Sequence, residues 1–249
     1  MLKSRLLTSV LFSCALPSMA LAGGTPVTKE ELPKLVREAL MNDPKMIKDA
    51  VEKLQDQEEV EMKKQAQDAI AKNKSQLFSD PNSPTIGAKD ADVTVVEFFD
   101  YQCGYCKKIL PEILQLMEKD KKVRVVFKEF PILSEDSNTA GRYALAVNRI
   151  AKDKYLDFHK ALFAMKGAFD EKGILAEAKK LGIDEGKLKA EMLKADIDTE
   201  LDNNRKLASE IGIRGTPAII IGSELVPGEA SYSQLQKMVD AASSAGKGK

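Results

Sequence analysis

The stretch VTVVEFFDYQCGYCKKILPEILQLMEK, residues 93–119, decides the fold of this chain. Val93–Phe99 is an apolar run that a single acid interrupts, and it is typical of a buried strand. Residues 106–119 place Ile109, Ile113, Leu116 and Met117 on one helical face, and Val123–Phe130 is a second strand-like run. A strand, a helix and a strand of these lengths predict a βαβ unit with parallel strands.

The rest of the C-terminal part completes an α/β domain. A third strand is predicted over Thr216–Ile221, followed by a turn, a short strand and a closing helix over Ser231–Ala242. Between the second and third strands lie helical patterns at Ser137–Ile150, Tyr155–Met165, Lys172–Leu181, Asp184–Ala195 and about 198–211. The sequence therefore predicts an α/β domain over 92–249 with a helical insertion at about 137–211.

The first 22 residues have the pattern of an export signal. Lys3 and Arg5 precede a short apolar run over 6–16, and Ala20–Ala22 fits a small-x-small cleavage site. We therefore expect the protein to be exported to the periplasm. An alternative is a lipoprotein acylated at Cys14.

Charge and cysteine content restrict the possible functions. The chain has 38 basic and 38 acidic residues, and removal of Lys3 and Arg5 with the signal leaves a net charge of −2. Such a balance offers no basic surface for nucleic acid or lipid. The mature chain retains only Cys103 and Cys106, three positions apart, and an exported protein meets oxidants that allow such thiols to cycle.

Residues 23–78 are predicted to form a separate helical region. Thr28–Glu31 has the spacing of a capping box, and Asp43 before Pro44 predicts the start of a second helix. Two apolar stripes precede a long charged stretch. They are Leu32, Val36 and Leu40, and Ile47, Ala50, Val51 and Leu54. We expect residues 28–54 to self-associate and 55–78 to act as a spacer. Alternatively, these helices lie along the protein's own surface.

The segment Ser79–Pro84, "SDPNSP", predicts the end of this helical region. Residues 79–91 are accordingly expected to form a linker and the entry into the catalytic domain.

The spacing of the two cysteines favours redox chemistry. Cys103 opens a predicted helix, whose N-terminus favours a thiolate, so Cys103 is expected to attack and Cys106 to resolve the mixed disulfide. Structural zinc needs about four ligands, but only these thiols and His159 are present. Copper(I) on two thiolates remains an alternative, and His159 is interpreted as a packing or capping residue rather than a base.

Four motifs in order carry a family resemblance. They are "VVEFFDYQCGYCKK", "VFKEFPIL", "FHKALF" and "GIRGTPAIII". Between about Asp92 and Ala242 the chain resembles the DsbA family of periplasmic thiol–disulfide oxidoreductases, which have a thioredoxin fold. It is also similar to the DsbA-like subgroup that oligomerises through an N-terminal helical extension. The resemblance implies a thioredoxin-like domain with a helical insertion, preceded by an all-helical extension.

The resemblance also implies a set of site residues. Cys103 and Cys106 match the redox pair, and Thr216–Pro217 matches the cis-proline loop that pairs with substrate peptides. Glu97 matches a buried acid that assists proton transfer at the resolving cysteine. An alternative for Glu97 is a strand end open to water, and Lys128 is a candidate partner for it. Pro111 matches a proline within the active-site helix.

Two positions depart from the strongly oxidising members of the family. The dipeptide between the cysteines is Gly104–Tyr105, and Thr216 precedes the proline, as in disulfide isomerases of the DsbC type. A less stabilised thiolate means a less oxidising disulfide. The chain is therefore expected to reshuffle disulfides rather than only to form them.

The sequence thus predicts an oligomeric periplasmic disulfide oxidoreductase with isomerase activity and no cofactor. Its expected partners are exported proteins with cysteines and a membrane thiol oxidase or reductase. Two alternatives stay open, a monomeric dithiol oxidase and a copper-handling or adaptor protein.

Overall fold

The computed structural model describes residues 27–166 and 169–247. The predicted signal peptide and the Cys14 alternative lie outside them. The strands are β1 Thr85–Gly87, β2 Val93–Phe99, β3 Val123–Glu129, β4 Ala218–Ile221 and β5 Glu224–Pro227. The helices are α1 Leu32–Asn42, α2 Lys45–Lys72, α3 Lys74–Phe78, α4 Gly104–Lys119, α5 Glu135–Ile150, α6 Tyr155–Ala164, α7 Glu171–Lys180, α8 Glu185–Met192, α9 Ala195–Ile211 and α10 Tyr232–Lys247.

The chain divides into two compact units, Met1–Gln55 and Asp56–Lys249. The described part of the first unit contains α1 and the start of α2. The Thr28 hydroxyl accepts from the Glu31 backbone N–H at 3.3 Å, and the Glu31 carboxylate accepts from the Thr28 N–H at 3.1 Å. This is the reciprocal geometry of a capping box. Asp43 Oδ1 accepts from the Lys45 N–H at 3.2 Å at the start of α2.

The apolar side chains of the first unit remain exposed in the single chain. They include Leu32, Leu35, Val36, Ile47, Val51 and Leu54, each between 45% and 54% exposed. A short amphipathic helix gains most of its stability by covering such a face. The first unit therefore presents an apolar surface without an internal partner among the described residues.

The second unit is built on a five-stranded sheet with the order β1-β3-β2-β4-β5. Strands β2 and β3 are parallel, with Val95 opposite Val125, and α4 connects them as the βαβ pattern predicts. Strands β1, β4 and β5 are antiparallel to their neighbours. Strand β1 was not predicted from the sequence, because three residues are too few to show a periodic pattern.

Both faces of the sheet are covered by helices. One face carries Val95, Val125 and Ile219 and packs on α4, α10 and the first helices of the insertion. The opposite face carries Val96, Val126 and Ile220 and packs on α9 and the end of α2. Helices α5–α9 lie between β3 and β4 in the chain, where the helical insertion was predicted. The thioredoxin-like fold class is thus confirmed.

The division between the units lies earlier than the sequence predicts. Ile70 at the end of α2 and Leu77 of α3 are 1% and 0% exposed, within the core beside α9. The following segment is also tied to β3, since the Pro84 carbonyl accepts from the Phe127 N–H at 2.8 Å. By this division residues 56–91, which include the predicted spacer and linker, fall within the second unit.

None of the helices within residues 27–166 and 169–247 has the length and apolar character that crossing a bilayer requires.

Candidate active site

Cys103 lies at the junction of strand β2 and helix α4, where it is the N-cap residue. Its backbone N–H donates to the Asp100 carbonyl at 3.0 Å, which turns the chain after the strand. Its Sγ accepts from the Cys106 backbone N–H at 3.4 Å. The N–H groups and the positive dipole end of a helix favour negative charge at this position. The location fits the predicted role of Cys103 as the attacking group.

The two cysteines are free thiols that differ in their surroundings. Cys103 is 7% exposed and Cys106 is fully buried. Burial raises the pKa of the Cys106 thiol well above its usual range, and the nearby charge of Glu97 raises it further, while the Asp100 backbone opposes the shift. Cys106 therefore holds its proton at neutral pH and needs an acceptor when it reacts.

The residues between the cysteines face solvent. Gly104 and Tyr105 are both exposed, and Lys108 Nζ lies 5.0 Å from the centre of the Tyr105 ring. An added side chain at Gly104 would meet nothing within 4 Å. This dipeptide therefore forms part of the surface that an approaching protein meets beside Cys103.

Glu97 lies on β2, on the face of the sheet that packs against α4. It is 1% exposed, and its Oε2 atom lacks a hydrogen-bond partner within the described residues. Burial raises the pKa of Glu97 to about 8. The alternative of a strand end open to water is therefore wrong. A carboxyl group with this pKa can both accept and donate a proton near neutral pH.

Lys128 is not the partner of Glu97, although the sequence analysis named it as a candidate. The register places Glu97 opposite Phe127, so Lys128 points to the other face of the sheet. There its Nζ binds Asp80 Oδ2 at 2.7 Å. This partly buried ion pair instead fixes the segment before β1 to the sheet.

Asp100 is a site residue that the sequence analysis missed. It is buried, and its carboxylate accepts from the backbone N–H groups of Gln102 at 2.8 Å, Ile132 at 2.9 Å and Leu133 at 3.0 Å. These bonds join the loop before Cys103 to the loop after β3. Both Ile132 and Leu133 expose apolar side chains there. Asp100 therefore helps to fix the segment that leads into Cys103.

A second missed acid, Glu129, belongs to a buried polar network. Its Oε1 atom accepts from the hydroxyls of Tyr101 at 3.1 Å and Tyr155 at 3.2 Å. Burial raises the pKa of Glu129 well above its usual range, and the tyrosine bonds partly oppose this shift. The sequence does contain a sign of this network, which is an acid within the apolar run "VVFKEF". A buried carboxyl group needs polar partners, so such an acid indicates polar side chains nearby.

His159 lies in the same network, 3.0 Å from the Tyr101 hydroxyl through Nδ1. It is fully buried and packs edge-on against Phe99 at a ring distance of 4.8 Å. Burial lowers the pKa of His159 to about 3, with a further contribution from Lys160. The ring is therefore neutral at physiological pH, in agreement with the packing interpretation.

The loop opposite the cysteines contains Thr216 and Pro217, joined by a cis peptide bond. The Thr216 backbone carbonyl accepts from Cys103 Sγ at 3.2 Å. The loop contacts the sulfur through this backbone oxygen rather than through the threonine hydroxyl. The structure thus brings Thr216 to Cys103, as the resemblance implied.

No group of three or more His, Cys, Asp or Glu side chains that could hold a metal ion occurs within the part of the chain that the structure describes.

Comparison with known proteins identifies a family for this domain. Residues 94–240 match the model of the DSBA-like thioredoxin domain. Disulfide bond formation protein D of Bacillus subtilis (strain 168) is 27% identical over 170 residues, covering 63% of this chain and 75% of that protein.

Two solved structures are similar over nearly their whole length. A thioredoxin-like oxidoreductase from Silicibacter pomeroyi DSS-3 is 42% identical with a TM-score of 0.65, covering 68% of this chain and 97% of that one. The thiol-disulfide exchange protein alpha-DsbA2 from Wolbachia pipientis is 36% identical with a TM-score of 0.68, covering 72% of this chain and 96% of that one. With its dithiol at the start of α4 and the cis-proline loop beside it, the chain belongs to the DSBA-like thioredoxin domain family.

Proposed function

We propose that this DsbA-type thiol–disulfide oxidoreductase works as an oligomeric disulfide isomerase on exported proteins. The position of Cys103 at a helix N-terminus supports its role as the nucleophile. The Thr216 carbonyl beside it supports a role of that loop in pairing with the backbone of a client protein. The export signal pattern of residues 1–22 supports a periplasmic location.

The isomerase reaction starts when the Cys103 thiolate attacks one sulfur of a wrong client disulfide. A mixed disulfide forms, and the second client sulfur leaves as a thiolate. That thiolate attacks another client disulfide, and the thiolate released in turn attacks the client sulfur bound to Cys103. Cys103 leaves as a thiolate, so the cycle transfers no net electrons. The Cys103–Cys106 pair must therefore remain reduced for this reaction.

Cys106 provides an exit when the mixed disulfide persists. Its sulfur attacks the Cys103 sulfur, which releases the client as a thiolate and oxidises the Cys103–Cys106 pair. The Cys106 proton passes to the Glu97 carboxylate, since Glu97 is buried on the same side of the sheet and its charge acts on Cys106. A membrane thiol reductase would then return the pair to the dithiol form.

The observation that carries the oligomeric part is the exposed apolar surface of α1 and the start of α2. An apolar face of this kind is unusual on a monomer and typical of an association surface. A second copy of residues 28–54 would cover it. Several active sites in one assembly raise the local thiol concentration around a client, which favours repeated exchange over a single oxidation.

Light scattering tests the assembly directly. The mature chain at micromolar concentration should have a multiple of its monomer mass. Asp substituted at Leu32, Val36 and Leu40 should reduce this to the monomer mass, because each charge would be buried in the interface. A monomeric wild-type protein would instead favour the simple dithiol oxidase.

A further inference from the structure

The second unit contains a groove of about 830 Å³ that runs from the cis-proline loop to helix α2. One wall is the face of α2 that carries Met62, Lys63 and Ala66. The other includes Ile213 and Leu225, and Thr216 and Pro217 also line the groove. This volume is within the range of pockets that enclose small ligands, and it can receive a few residues of an extended chain. From the sequence alone, this part of α2 was predicted to be a spacer.

The α2 wall is fixed to the sheet. Lys63 Nζ lies 2.8 Å from Glu224 Oε2, and Gln67 donates to Glu224 Oε1 at 2.7 Å. One turn further along, Ile70 is buried in the core beside α9. Glu224 belongs to β5, the edge strand of the sheet. The groove is therefore present before any client binds.

The groove is continuous with the reactive site. Thr216 lines it, and the carbonyl of the same residue is 3.2 Å from Cys103 Sγ. A client cysteine bonded to Cys103 thus lies at the mouth of the groove. Its neighbours in an extended chain follow at about 3.3 Å per residue, so the side chains next to the client cysteine enter the groove.

The lining indicates the chemistry of the occupant. Met62, Ala66 and Leu225 offer apolar surface, and among the charged residues of the lining, Glu59, Lys63, Glu210, Arg214 and Glu224, Lys63 pairs with Glu224. Apolar side chains enter such a groove more favourably than charged ones. An unfolded or misfolded client exposes apolar segments next to its cysteines, whereas a finished fold buries them.

We propose that residues 59–67 of helix α2 form one wall of a client-binding groove, which takes an extended apolar segment next to the cysteine that reacts with Cys103. This inference rests on the proposed exchange reaction at Cys103 and adds a preference for apolar flanking sequence. It makes α2 a specificity element of the active site.

A matched pair of variants tests the wall. Met62→Glu places a charge in the groove, and Val60→Glu adds the same charge two positions away on the same helix, outside the lining. Both original side chains are exposed in the single chain, at 56% and 70%. Two residues rotate the side chain by about 200° on a helix, so the two variants probe nearly opposite faces.

The measurement compares two uncharged decapeptides as substrates of the full-length mature protein. Each carries one cysteine in a disulfide with glutathione, flanked by leucines in one peptide and by serines in the other. The readout is the ratio of kcat/KM for the leucine peptide to that for the serine peptide. This ratio does not depend on the fraction of active protein, so partial misfolding of a variant does not affect it.

We expect Met62→Glu to lower the leucine-to-serine ratio about tenfold, the size of one lost apolar contact, and Val60→Glu to leave it unchanged. Equal ratios in the two variants would overturn the proposal. If wild-type protein exchanges both peptides but does not isomerise, the proposed isomerase function fails while the groove is still tested.

Cross-linking provides a second measurement. The Cys106→Ser protein is loaded with the leucine peptide as a mixed disulfide, with a photoreactive residue three positions from the peptide cysteine. Cross-links to residues 59–67 are expected. Cross-links confined to residues outside the groove lining would contradict the proposal, whatever the kinetic ratios show.

Discussion

Cys103 and Cys106 have different environments although only two residues separate them. Cys103 caps the helix and meets the Thr216 carbonyl, while Cys106 is enclosed by the core of the second unit. Burial raises the pKa of the Cys106 thiol, so Cys106 is a poor nucleophile until a base accepts its proton. From these environments we propose that Cys103 attacks and Cys106 resolves.

Serine substitutions test this assignment. We expect Cys106→Ser to accumulate mixed disulfides with client proteins, because the resolving sulfur is absent. Cys103→Ser should accumulate none, since the remaining thiol is buried. Non-reducing gels of the two variants, after incubation with an oxidised client, give the result. Faster alkylation of Cys106 than of Cys103 near pH 7 in the wild-type protein would show that the roles are reversed.

Glu97 should give resolution a characteristic pH dependence. Because burial raises the pKa of Glu97 to about 8, its carboxylate fraction and the resolution rate should rise together up to that pH. We expect Glu97→Gln to slow resolution about 10²-fold and to remove this rise. Stopped-flow decay of the mixed disulfide from pH 6 to 9 measures both effects. The matched control is Glu200→Gln, which removes the charge of a buried acid on helix α9 and should keep the wild-type pH dependence.

The same residue should affect the stability of the reduced protein. The folded pKa of Glu97 lies near 8, above the ordinary value of 4.5, so between these values the folded chain holds a proton that the unfolded chain has lost. The free energy of unfolding should therefore fall as pH rises, by at most about 1.4 kcal/mol per pH unit from this group. Glu97→Gln should flatten that slope in urea titrations. An unchanged slope in Glu97→Gln would show that Glu97 has only a structural role.

The residues of the site differ in how far their roles could be predicted. Cys103, Cys106, Thr216 and Pro217 belong to sequence motifs, so their positions follow from the pattern. Asp100 does not, because its partners are backbone N–H groups of a distant loop, which no side-chain pattern encodes.

At the scale of elements, the β2–α4–β3 unit follows from the sequence because its apolar periodicity is continuous. Helix α2 was harder to interpret. Most of its residues are charged or polar, and Ile70 is its only buried residue. The apolar stripe at the start of α2 does not continue to its end, and one buried side chain there does not produce a periodic signal. The contacts of α2 with the second unit therefore had to come from the structure.

Alanine substitutions test whether the end of α2 belongs to the catalytic unit. We expect Ile70→Ala to lower the free energy of unfolding by about 2–5 kcal/mol, because it removes a fully buried side chain. Val60→Ala, at an exposed position of the same helix, should change it by less than about 0.5 kcal/mol. Chemical denaturation of the two variants gives the comparison. Equal stabilities would mean that α2 is a spacer after all.

At the scale of the whole molecule, the two units suggest a division of tasks. The second unit contains the dithiol, the cis-proline loop and both faces of the sheet core. The first unit offers exposed apolar side chains and none of the site residues. Removal of residues 23–55 should therefore leave the thiol chemistry intact. Removal of 23–78 should not, because Ile70 and Leu77 would be lost from the core.

The measurement that tests the isomerase account most directly is the refolding rate of a scrambled protein with several disulfides. The mature chain, residues 23–249, is compared with residues 56–249 at the same concentration of Cys103. We expect the truncated protein to oxidise small dithiols at the rate of the parent but to refold the scrambled client at least about tenfold more slowly. Equal refolding rates, with the truncated protein monomeric, would contradict the account and leave a simple dithiol oxidase.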